Sequence, residues 1–344
     1  MRSYALLVHP SANRVYADTS AALTVAELGV LARTRLVGRL EAAEPTVIAG
    51  VRYVTFDADP ADVDLALLGD VSTAMALFER GDDSLRPVEL PRRDRFDADL
   101  LTILKYPGKT NEVFTKLLLN VTVWSGNAVS GRPVRVLDPM CGRGTTLNQV
   151  LMNGWHASGL DVDGRDFDTY SAFLRTWLKT KRLKHDADVT PVRREGVKLG
   201  RRLHAEVGAT KEEWKAGAAL TVEYVNTDTL NTRAVHKAAS MDAVVTDAPY
   251  GVQHASRTVT GTGARLTRNP LDLLREAVPV WVDVLRPGGA LGIAWNTHVA
   301  ARDDALAVLA AAGLEVLDDG AYRAFPHRVD QAIQRDVLVA RRPV

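Results

Sequence analysis

The sequence predicts an α/β protein built on a mostly parallel sheet and preceded by a smaller α/β unit. From about residue 100 onward, short apolar runs of strand length alternate with helical segments. This alternation is typical of a parallel sheet covered by helices on both faces. Four of the apolar runs are followed within three residues by an aspartate. In such sheets ligands bind beyond the carboxyl ends of the strands. The sequence therefore predicts one crevice lined by acidic residues.

The composition limits the classes of protein to which this chain can belong. The chain has 344 residues, of which 46% are hydrophobic and 25% charged, values that are ordinary for globular proteins. This length suggests about two domains. The formal net charge is +1, from 43 basic and 42 acidic residues, so any nucleic-acid contact must come from local clustering of charge.

Cysteine and histidine usage argues against disulfides and metals. The single cysteine, Cys141, excludes a disulfide framework and a cysteine-based zinc site. The eight histidines form no HxxxH or HExxH pair, so we expect no metal site. No stretch of 18 apolar residues occurs, and the apolar run before Pro10 is too short for a signal peptide. We therefore expect a cytoplasmic protein with no membrane partner.

Residues 1–95 predict a small α/β domain, and residues 96–344 a second, larger domain. Periodicity and β-branched content predict a strand, a helix, a strand and a helix in the first: Tyr4–His9, Ser20–Arg33, Val47–Phe56 and Asp62–Arg80. Residues 86–99 contain two prolines and many charges without periodicity, which is typical of a linker.

The larger domain begins with a predicted helix, Thr115–Trp124. A short strand, Val134–Leu137, then leads through a glycine-rich turn into the helix Thr145–Asn153. Four more strands are predicted at Trp155–Leu160, Thr221–Val225, Ala243–Thr246 and Gly289–Trp295. The aspartates at the strand ends are Asp138, Asp161, Asp228 and Asp247.

The turn after the first of these strands reads DPMCGRGTT. Gly142 and Gly144 allow a tight turn and close approach of the backbone to a ligand. The turn is not GxGxxG and lacks the GK[ST] of a phosphate-binding loop, so neither a dinucleotide nor a triphosphate is favoured. A plain glycine-rich turn is the alternative interpretation.

The next two acids suit a nucleoside. Asp161, in GLDVD, ends the second strand of the unit, where a carboxylate typically accepts hydrogen bonds from ribose hydroxyls. Asp228, in NTDTL, follows the third strand and could accept a hydrogen bond from an adenine amino group. For both acids the alternative is a helix cap, formed by Asp161 or its neighbour Asp163 in the first case.

The fourth acid lies in TDAPYG. Asp247 is followed by a rigid proline and an aromatic ring, and aromatic rings in such positions stack on flat bases. The carboxylate can accept a hydrogen bond from an exocyclic amino group. A strand-end turn containing proline and glycine is the alternative.

These four motifs, in this order, resemble the class I S-adenosylmethionine-dependent methyltransferases that modify amino groups. DPMCGRGT is similar to the family's DPFCGSGT motif, and DAPYG to its (D/N/S)PPY motif. The resemblance covers about residues 100–344. It implies a Rossmann-like, seven-stranded methyltransferase domain that uses S-adenosylmethionine.

The resemblance also implies roles for individual residues. The glycine-rich turn would wrap the methionine moiety of the cofactor, through Asp138, Pro139, Met140, Cys141, Gly142, Gly144 and Thr145. Asp161 and Val162 would hold the ribose, and Asp228 and Thr229 the adenine. The target amino group would be held by Asp247, Ala248, Pro249 and Tyr250, with Asp247 also near the cofactor.

Two residues depart from the family pattern. Ala248 replaces the first proline of PPY, and its carbonyl oxygen can still accept a hydrogen bond. Arg143 replaces a small residue of the glycine-rich turn. Its guanidinium could reach the cofactor carboxylate or the substrate backbone, or it could lie in solvent.

The segment KYPGKTN, residues 105–111, resembles the cofactor-proximal YPxK segment of amino-directed DNA methyltransferases. That resemblance makes Thr110 and Asn111 candidate cofactor contacts, and a turn before the following helix is the alternative. Two further features of the sequence have no firm role. Trp295–Thr297 either faces the pocket or is a core tryptophan followed by a turn, and His327–Asp330 lies near a predicted final hairpin.

Two segments bear on the substrate. Residues 175–202 contain ten Lys or Arg against three acids, an excess that could engage a phosphate backbone. The alternative is a solvated helical insertion. Residues 254–269 are polar and contain glycine, which is typical of a loop that covers a substrate.

The expected reaction is methyl transfer from S-adenosylmethionine to an exocyclic amino nitrogen of a nucleobase. The motif set most resembles the tRNA guanine-N2 methyltransferases. Those proteins have a longer upstream region, and residues 1–95 have room only for its small ferredoxin-like part. We therefore expect tRNA as the partner, ahead of DNA methylated at adenine N6 or cytosine N4. The alternative from another class is a non-catalytic nucleic-acid-binding protein with a degenerate pocket.

Overall fold

Two sheets and a separate short hairpin organise the chain. The computed structural model describes residues 1–10, 14–59, 61–194, 196–248, 257–260, 263–266 and 270–344. Within these residues, the first sheet has five strands, the second has ten, and the hairpin has two. No helix among them is long and apolar enough to cross a lipid bilayer.

The first sheet belongs to the N-terminal part of the chain. Its elements, in chain order, are β1 (Arg2–Val8), α1 (Arg14–Thr34), β2 (Leu40–Ile48), β3 (Val51–Ala58), α2 (Asp62–Asp70), β4 (Ala74–Arg80) and β5 (Leu85–Val88). The strands pair antiparallel in the order β2-β3-β1-β4-β5. The first six elements follow the β-α-β-β-α-β order of a ferredoxin-like unit, to which β5 is added.

The predicted β-α-β-α order for this unit is wrong in two places. The predicted strand Val47–Phe56 crosses a tight turn, because Ala49 and Gly50 both have positive φ and separate β2 from β3. The predicted helix Asp62–Arg80 ends at Asp70. Its second half is β4, because pairing with β1 and β5 outweighs the helical propensity of residues 74–80.

The larger unit contains the other elements. Its helices are α3 (Asp99–Thr102), α4 (Glu112–Ser125), α5 (Thr145–Met152), α6 (Gly164–Thr180), α7 (Lys211–Lys215), α8 (Thr232–Val235), α9 (Pro270–Val284) and α10 (Arg302–Ala311), with 3-10 turns at Thr229–Asn231 and Gly320–Arg323. Its strands are β6 (Arg135–Asp138), β7 (His156–Asp161), β8 (Lys184–Arg194), β9 (Val197–Gly208), β10 (Leu220–Asn226), β11 (Met241–Asp247), β12 (Arg257–Thr260), β13 (Gly263–Leu266), β14 (Leu285–Asn296), β15 (Glu315–Leu317), β16 (His327–Arg328) and β17 (Gln334–Arg341).

The second sheet contains the seven strands that the sequence predicts for the class I fold. Its order is β15-β17-β14-β11-β6-β7-β10-β9-β8, with β16 paired to β17. Strands β14, β11, β6, β7 and β10 run parallel, whereas β17 is antiparallel to its neighbours. The seven strands from β10 to β15 confirm the predicted architecture. The β8–β9 hairpin extends the sheet beyond β10.

This hairpin replaces the helical insertion considered for residues 175–202. Only the first part of that segment is helical, because α6 ends at Thr180. The rest forms two long antiparallel strands, and residues 201–207 of β9 pair with β10. The helical alternative is therefore wrong for most of the segment.

Helix α1 joins the two units through a buried polar contact with α4. The Glu27 carboxylate is fully buried and accepts hydrogen bonds from the Ser72 backbone N–H, at 3.0 Å, and from its hydroxyl. The Asn120 amide donates to Glu27 Oε1 at 2.8 Å and to the Asp70 carbonyl oxygen at 2.7 Å. Burial raises the pKa of Glu27, and these donors oppose the rise. Such a network fixes the register of the two helices.

Removing one donor from this network tests its contribution. The Asn120→Ala variant leaves the Glu27 carboxylate and the Asp70 carbonyl each short of a partner, so we expect a loss of about 2–3 kcal/mol in the free energy of unfolding. Urea denaturation measures the loss. The control is Thr180→Ala, which removes an exposed hydroxyl bonded only within its own helix. A loss in Asn120→Ala no larger than in this control would contradict the assigned role.

Candidate active site

The four predicted aspartates lie at one edge of the second sheet. Asp138, Asp161 and Asp247 are the last residues of β6, β7 and β11, and Asp228 follows two residues after β10. These strands are parallel neighbours in the order β11-β6-β7-β10, so their carboxyl ends meet at the same edge. The predicted acidic edge is therefore present in the fold.

Asp161 fixes the glycine-rich turn. Its Oδ2 accepts a hydrogen bond from the Gly142 N–H, and its Oδ1 accepts one from the Asp163 N–H, both at 2.8 Å. The Cys141 N–H donates to the Leu160 carbonyl oxygen at 2.9 Å. Burial raises the pKa of Asp161, and the two backbone donors oppose this rise. One carboxylate thus holds the turn after β6 against the turn after β7.

Two glycines shape this turn for different reasons. Gly142 and Gly144 have φ of +48° and +77°, a region that side chains rarely adopt. A Cβ on Gly144 would lie 2.3 Å from Cε2 of the buried Tyr170 ring. A Cβ on Gly142 would meet nothing closer than Asp166 Oδ2, at 4.0 Å. Gly144 therefore permits core packing, whereas at Gly142 a Cβ would make only one ordinary contact.

Asp138 is the most deeply buried of the four acids, at 2% exposure. Its Oδ1 accepts a hydrogen bond from the Met140 N–H at 3.1 Å. Burial raises the pKa of Asp138 to about 7, a rise opposed by the nearby hydroxyls of Thr146 and Thr246 and by the Met140 N–H. Near neutral pH this carboxyl is therefore close to its midpoint of ionisation.

The other predicted residues of the turn occupy distinct environments. Pro139 is buried and Met140 is half-buried. Cys141 is buried, and burial raises the pKa of its thiol well above the ordinary value, so the thiol stays protonated. Thr145 shares a hydrogen bond of 2.9 Å with the Tyr106 hydroxyl, which places the YPGK segment against the turn.

The Arg143 side chain contacts two neighbouring segments of the protein. Its Nε donates to Asp166 Oδ1 at 2.7 Å, and its guanidinium carbon lies 4.8 Å from the centre of the Tyr106 ring. The hydrogen bond to Asp166 raises the pKa of Arg143. This side chain connects the glycine-rich turn to α6 and to the YPGK segment.

Thr110 and Asn111 have different environments. The Thr110 hydroxyl donates to Asp247 Oδ2 at 2.6 Å, so it contacts the predicted catalytic acid directly. The Asn111 side-chain oxygen accepts from the N–H groups of Val113 and Phe114, at 2.9 and 3.2 Å, and caps α4. The structure therefore places Thr110 at the site and gives Asn111 a helix-capping role.

The predicted adenine contacts also take part in the fold. Asp228 Oδ1 accepts from the Leu230 N–H at 2.8 Å and caps the 3-10 turn, and burial raises its pKa. No hydrogen bond from a described residue engages its Oδ2. The Thr229 hydroxyl accepts from Trp281 Nε1 at 2.9 Å. Val162, beside Asp161, is 37% exposed and presents an apolar surface at the edge.

Arg335 is a site residue that the sequence analysis did not find. It lies on β17, with its side chain 6% exposed and its Nη2 3.5 Å from Asp247 Oδ2. Its guanidinium carbon lies 4.5 Å from the centre of the Phe114 ring. The signal in the sequence is a charged pair, Arg335 and Asp336, directly before the apolar run Val337–Ala340. Only the position of β17 beside β14 shows that Arg335 reaches Asp247.

His327 and Asn296 support this corner of the site. Burial lowers the pKa of His327 to about 4, so its ring, which lies against Phe114, is neutral at physiological pH. Asn296 accepts from the Gln334 N–H at 3.1 Å and donates to the Ala332 carbonyl at 3.2 Å. Trp295 is buried, which supports its interpretation as a core residue.

The target-binding motif is only partly described. The Ala248 side chain is buried, and its N–H donates to the Ala294 carbonyl oxygen at 3.1 Å. Pro249 and Tyr250 lie outside the described residues. So does the predicted substrate loop 254–269, apart from the backbones of β12 and β13. Among the described residues, no cluster of three or more His, Cys, Asp or Glu could hold a metal ion.

Residues 107–277, about half of the chain, match the model of the UPF0020 family, described as an RMKL-like methyltransferase domain. These residues form a methyltransferase domain of this family. The matched range contains the glycine-rich turn and all four acids. The methyltransferase is an enzyme of the class I fold, and its methyl donor is S-adenosylmethionine.

Several solved structures are similar to the methyltransferase at low sequence identity, whereas no curated protein matches the chain. The rRNA methyltransferase AviRa from Streptomyces viridochromogenes is 15% identical, with 72% of this chain and 91% of that chain covered and a TM-score of 0.39. The N-methyltransferase NodS from Bradyrhizobium japonicum is also 15% identical, with 67% and 95% covered and a TM-score of 0.38. Scores this low carry no conclusion about this chain.

The residues at the carboxyl edge fit S-adenosylmethionine. A Cβ on Gly142 would have room to project, with Asp166 Oδ2 as its nearest neighbour at 4.0 Å. Asp161 and Asp228 are carboxylates, which accept hydrogen bonds from the hydroxyl and amino groups of an adenosine. Gly142, Asp161 and Asp228 would hold the cofactor, and Val162 offers apolar surface beside them.

The two glycines predict different responses to alanine. Gly144→Ala must displace the buried Tyr170 ring, so we expect the free energy of unfolding to fall by more than about 3 kcal/mol. Gly142→Ala meets only backbone strain, so we expect a loss of about 1–2 kcal/mol. Urea denaturation of both variants measures the difference. Equal losses would contradict the described packing of the turn.

Asp138 predicts a pH dependence of stability. Because its folded-state pKa is raised, its contribution is fully present below the unfolded pKa of about 4 and is lost as the pH rises through about 7. The Asp138→Asn variant has no such titration. We therefore expect it to exceed the unaltered protein in unfolding free energy at pH 8, by about 2–4 kcal/mol. The gap should shrink as the pH falls from 8 to 5. Thermal unfolding across this range measures the gap, and a constant gap would refute the ionisation assigned to Asp138.

Proposed function

We propose that the protein transfers a methyl group from S-adenosylmethionine to an exocyclic amino nitrogen of a nucleobase, with guanine N2 in tRNA as the target. The position of Asp247 carries this proposal. Its carboxylate ends β11 next to the cofactor turn and is 20% exposed. A carboxylate there offers only hydrogen-bond acceptors, which suits an amino group.

The reaction requires help with a poor nucleophile. The lone pair of an aromatic amino group is delocalised into the ring, so the nitrogen must be held while its geometry changes. The Asp247 carboxylate and the Ala248 carbonyl oxygen would each accept one N–H and hold the nitrogen toward the donor. S-adenosylmethionine supplies an electrophilic methyl group when it is bound. Proximity and alignment of the reacting atoms provide much of the acceleration.

Asp247 would also receive the proton that the nitrogen releases, directly or through water. Thr110 and Arg335 act on this carboxylate rather than on the substrate, since both contact Oδ2. They hold the carboxylate in one orientation. Arg335 also places a positive charge 3.5 Å from Oδ2.

The choice of tRNA rests on the resemblance of the motif set to the tRNA guanine-N2 methyltransferases. The ferredoxin-like order of β1 to β4 is consistent with the upstream unit which that resemblance implies. DNA methylated at adenine N6 or cytosine N4 is the second candidate. It is favoured by one observation, the contact between Thr110 of the KYPGKTN segment and Asp247.

Radiolabelled methyl transfer to total RNA and to genomic DNA, followed by nucleoside analysis, separates the two candidates. We expect the label in N2-methylguanosine of the tRNA fraction. A label found only in DNA would reject the RNA substrate. A label in neither polymer, from protein that binds S-adenosylmethionine, would reject the nucleobase target.

The Asp247→Asn variant tests the role of Asp247 as the hydrogen-bond acceptor for the amino group. The amide keeps the shape of the side chain but loses the charge and one acceptor, so we expect methyl transfer to fall by about 100-fold or more. Binding of S-adenosylmethionine, measured by thermal shift, should change little. The matched control is Asp283→Asn, which neutralises an exposed carboxylate on α9. Undiminished transfer by the Asp247 variant would refute the role of Asp247.

A further inference from the structure

The basic stretch 175–202 divides into two groups at opposite edges of the second sheet. Helix α6 runs from the carboxyl edge to the amino edge, so Arg175 and Lys179, in its later turns, lie toward the amino edge. Strand β8 begins at that same edge, since Lys184 pairs with Gly208 near the start of β10. The basic residues at 193–202 lie at the other end of the hairpin.

The second group lies at the edge that carries the active site. Arg201 of β9 pairs with Asn226, the last residue of β10. Val197, the first residue of β9, lies four positions further along the strand, which corresponds to about 13 Å beyond β10. The described residues 192–194 and 196–199, here called the hairpin tip, therefore project past the carboxyl edge. Asp161 and Asp228 end the two nearest parallel strands.

The basic residues between the hairpin tip and the rest of the sheet form ion pairs within the protein. Arg201 donates to Asp168 Oδ1 at 2.7 Å and lies over the Phe167 ring. Arg202 pairs with Glu223 at 2.7 Å. These arginines therefore stabilise the attachment of the hairpin to α6 and β10.

Residues 192–199 contain three basic residues, Arg193, Arg194 and Lys198, and one acid, Glu195. Arg193 and Lys198 are exposed and directly opposite each other in the strand pairing. Like charges directly opposite each other destabilise a strand pair. Neither side chain makes an ion pair with a described residue. Arg194, also exposed, is adjacent. A polyanion bound at the tip would attract both side chains and so offset the repulsion between them.

We infer that the hairpin tip binds the phosphate backbone of the nucleic-acid substrate and holds it beside the active site. The inference rests on the proposed function, and it assigns the substrate-binding role to Arg193, Arg194 and Lys198. Phosphodiester groups are the chemistry recognised, and RNA and DNA both supply them. Cationic contacts of this kind contribute affinity and position without reading sequence.

A matched pair of double variants tests the inference. The test variant is Arg193→Ser with Lys198→Ser, and the control is Arg175→Ser with Lys179→Ser, which removes the same charge toward the amino edge. The probes are a fluorescein-labelled tRNA transcript, a single-stranded RNA and a DNA of the same sequence. Fluorescence anisotropy over a range of NaCl concentrations gives the dissociation constant and its salt dependence.

In the test variant we expect the affinity for nucleic acid to fall about tenfold. The slope of log K against log salt should decrease by about 1.4 for single strands, as expected for two lost phosphate contacts. In methyl transfer, the KM for nucleic acid should rise while kcat stays unchanged. The control variant should match the unaltered protein. A loss seen with RNA alone or with DNA alone assigns the source of the phosphate.

Two outcomes would overturn the inference while leaving the proposed function intact. One is unchanged binding and KM in the test variant of an enzyme that still methylates nucleic acid. The other is an equal loss in the control, which would indicate diffuse surface charge. If the unaltered protein binds S-adenosylmethionine but neither binds nor methylates RNA or DNA, the proposed function fails and the inference fails with it.

Discussion

Parallel pairing of β11, β6, β7 and β10 is the constraint on which the rest of the site depends. It brings four strand ends to one edge, so residues far apart in sequence face the same crevice. Asp161 then fixes the detail, because its two oxygens hold the Gly142 and Asp163 N–H groups. The turn that borders the cofactor site is thus a consequence of strand order and one carboxylate.

Residues from distant parts of the chain surround the Asp247 carboxylate at this edge. Asp247 is contacted by Thr110, which precedes β6, and by Arg335, which lies on the last strand. Phe114 of α4 lies under the Arg335 guanidinium, and α4 also contacts α1 of the N-terminal unit through Asn120 and Glu27. One helix therefore packs against both the site and the upstream unit.

Charge is unevenly distributed in this molecule although its net charge is nearly zero. Carboxylates line the carboxyl edge of the sheet, where burial raises the pKa values of Asp138, Asp161 and Asp228. Exposed basic side chains lie beyond that edge, on the hairpin tip. This arrangement fits the proposed nucleic-acid substrate, whose amino group would enter the acidic crevice while its phosphate backbone would contact the hairpin tip.

Sequence alone determined the parallel sheet, the acids at its strand ends and the glycine-rich turn, because each depends on local pattern and on backbone conformations that glycine permits. It did not determine that residues 74–80 form β4, that residues 184–208 form a hairpin, or that Arg335 meets Asp247. These features depend on which strands become neighbours. Strand pairing is decided by burial and hydrogen bonding between segments far apart in the chain, so only the tertiary structure revealed them.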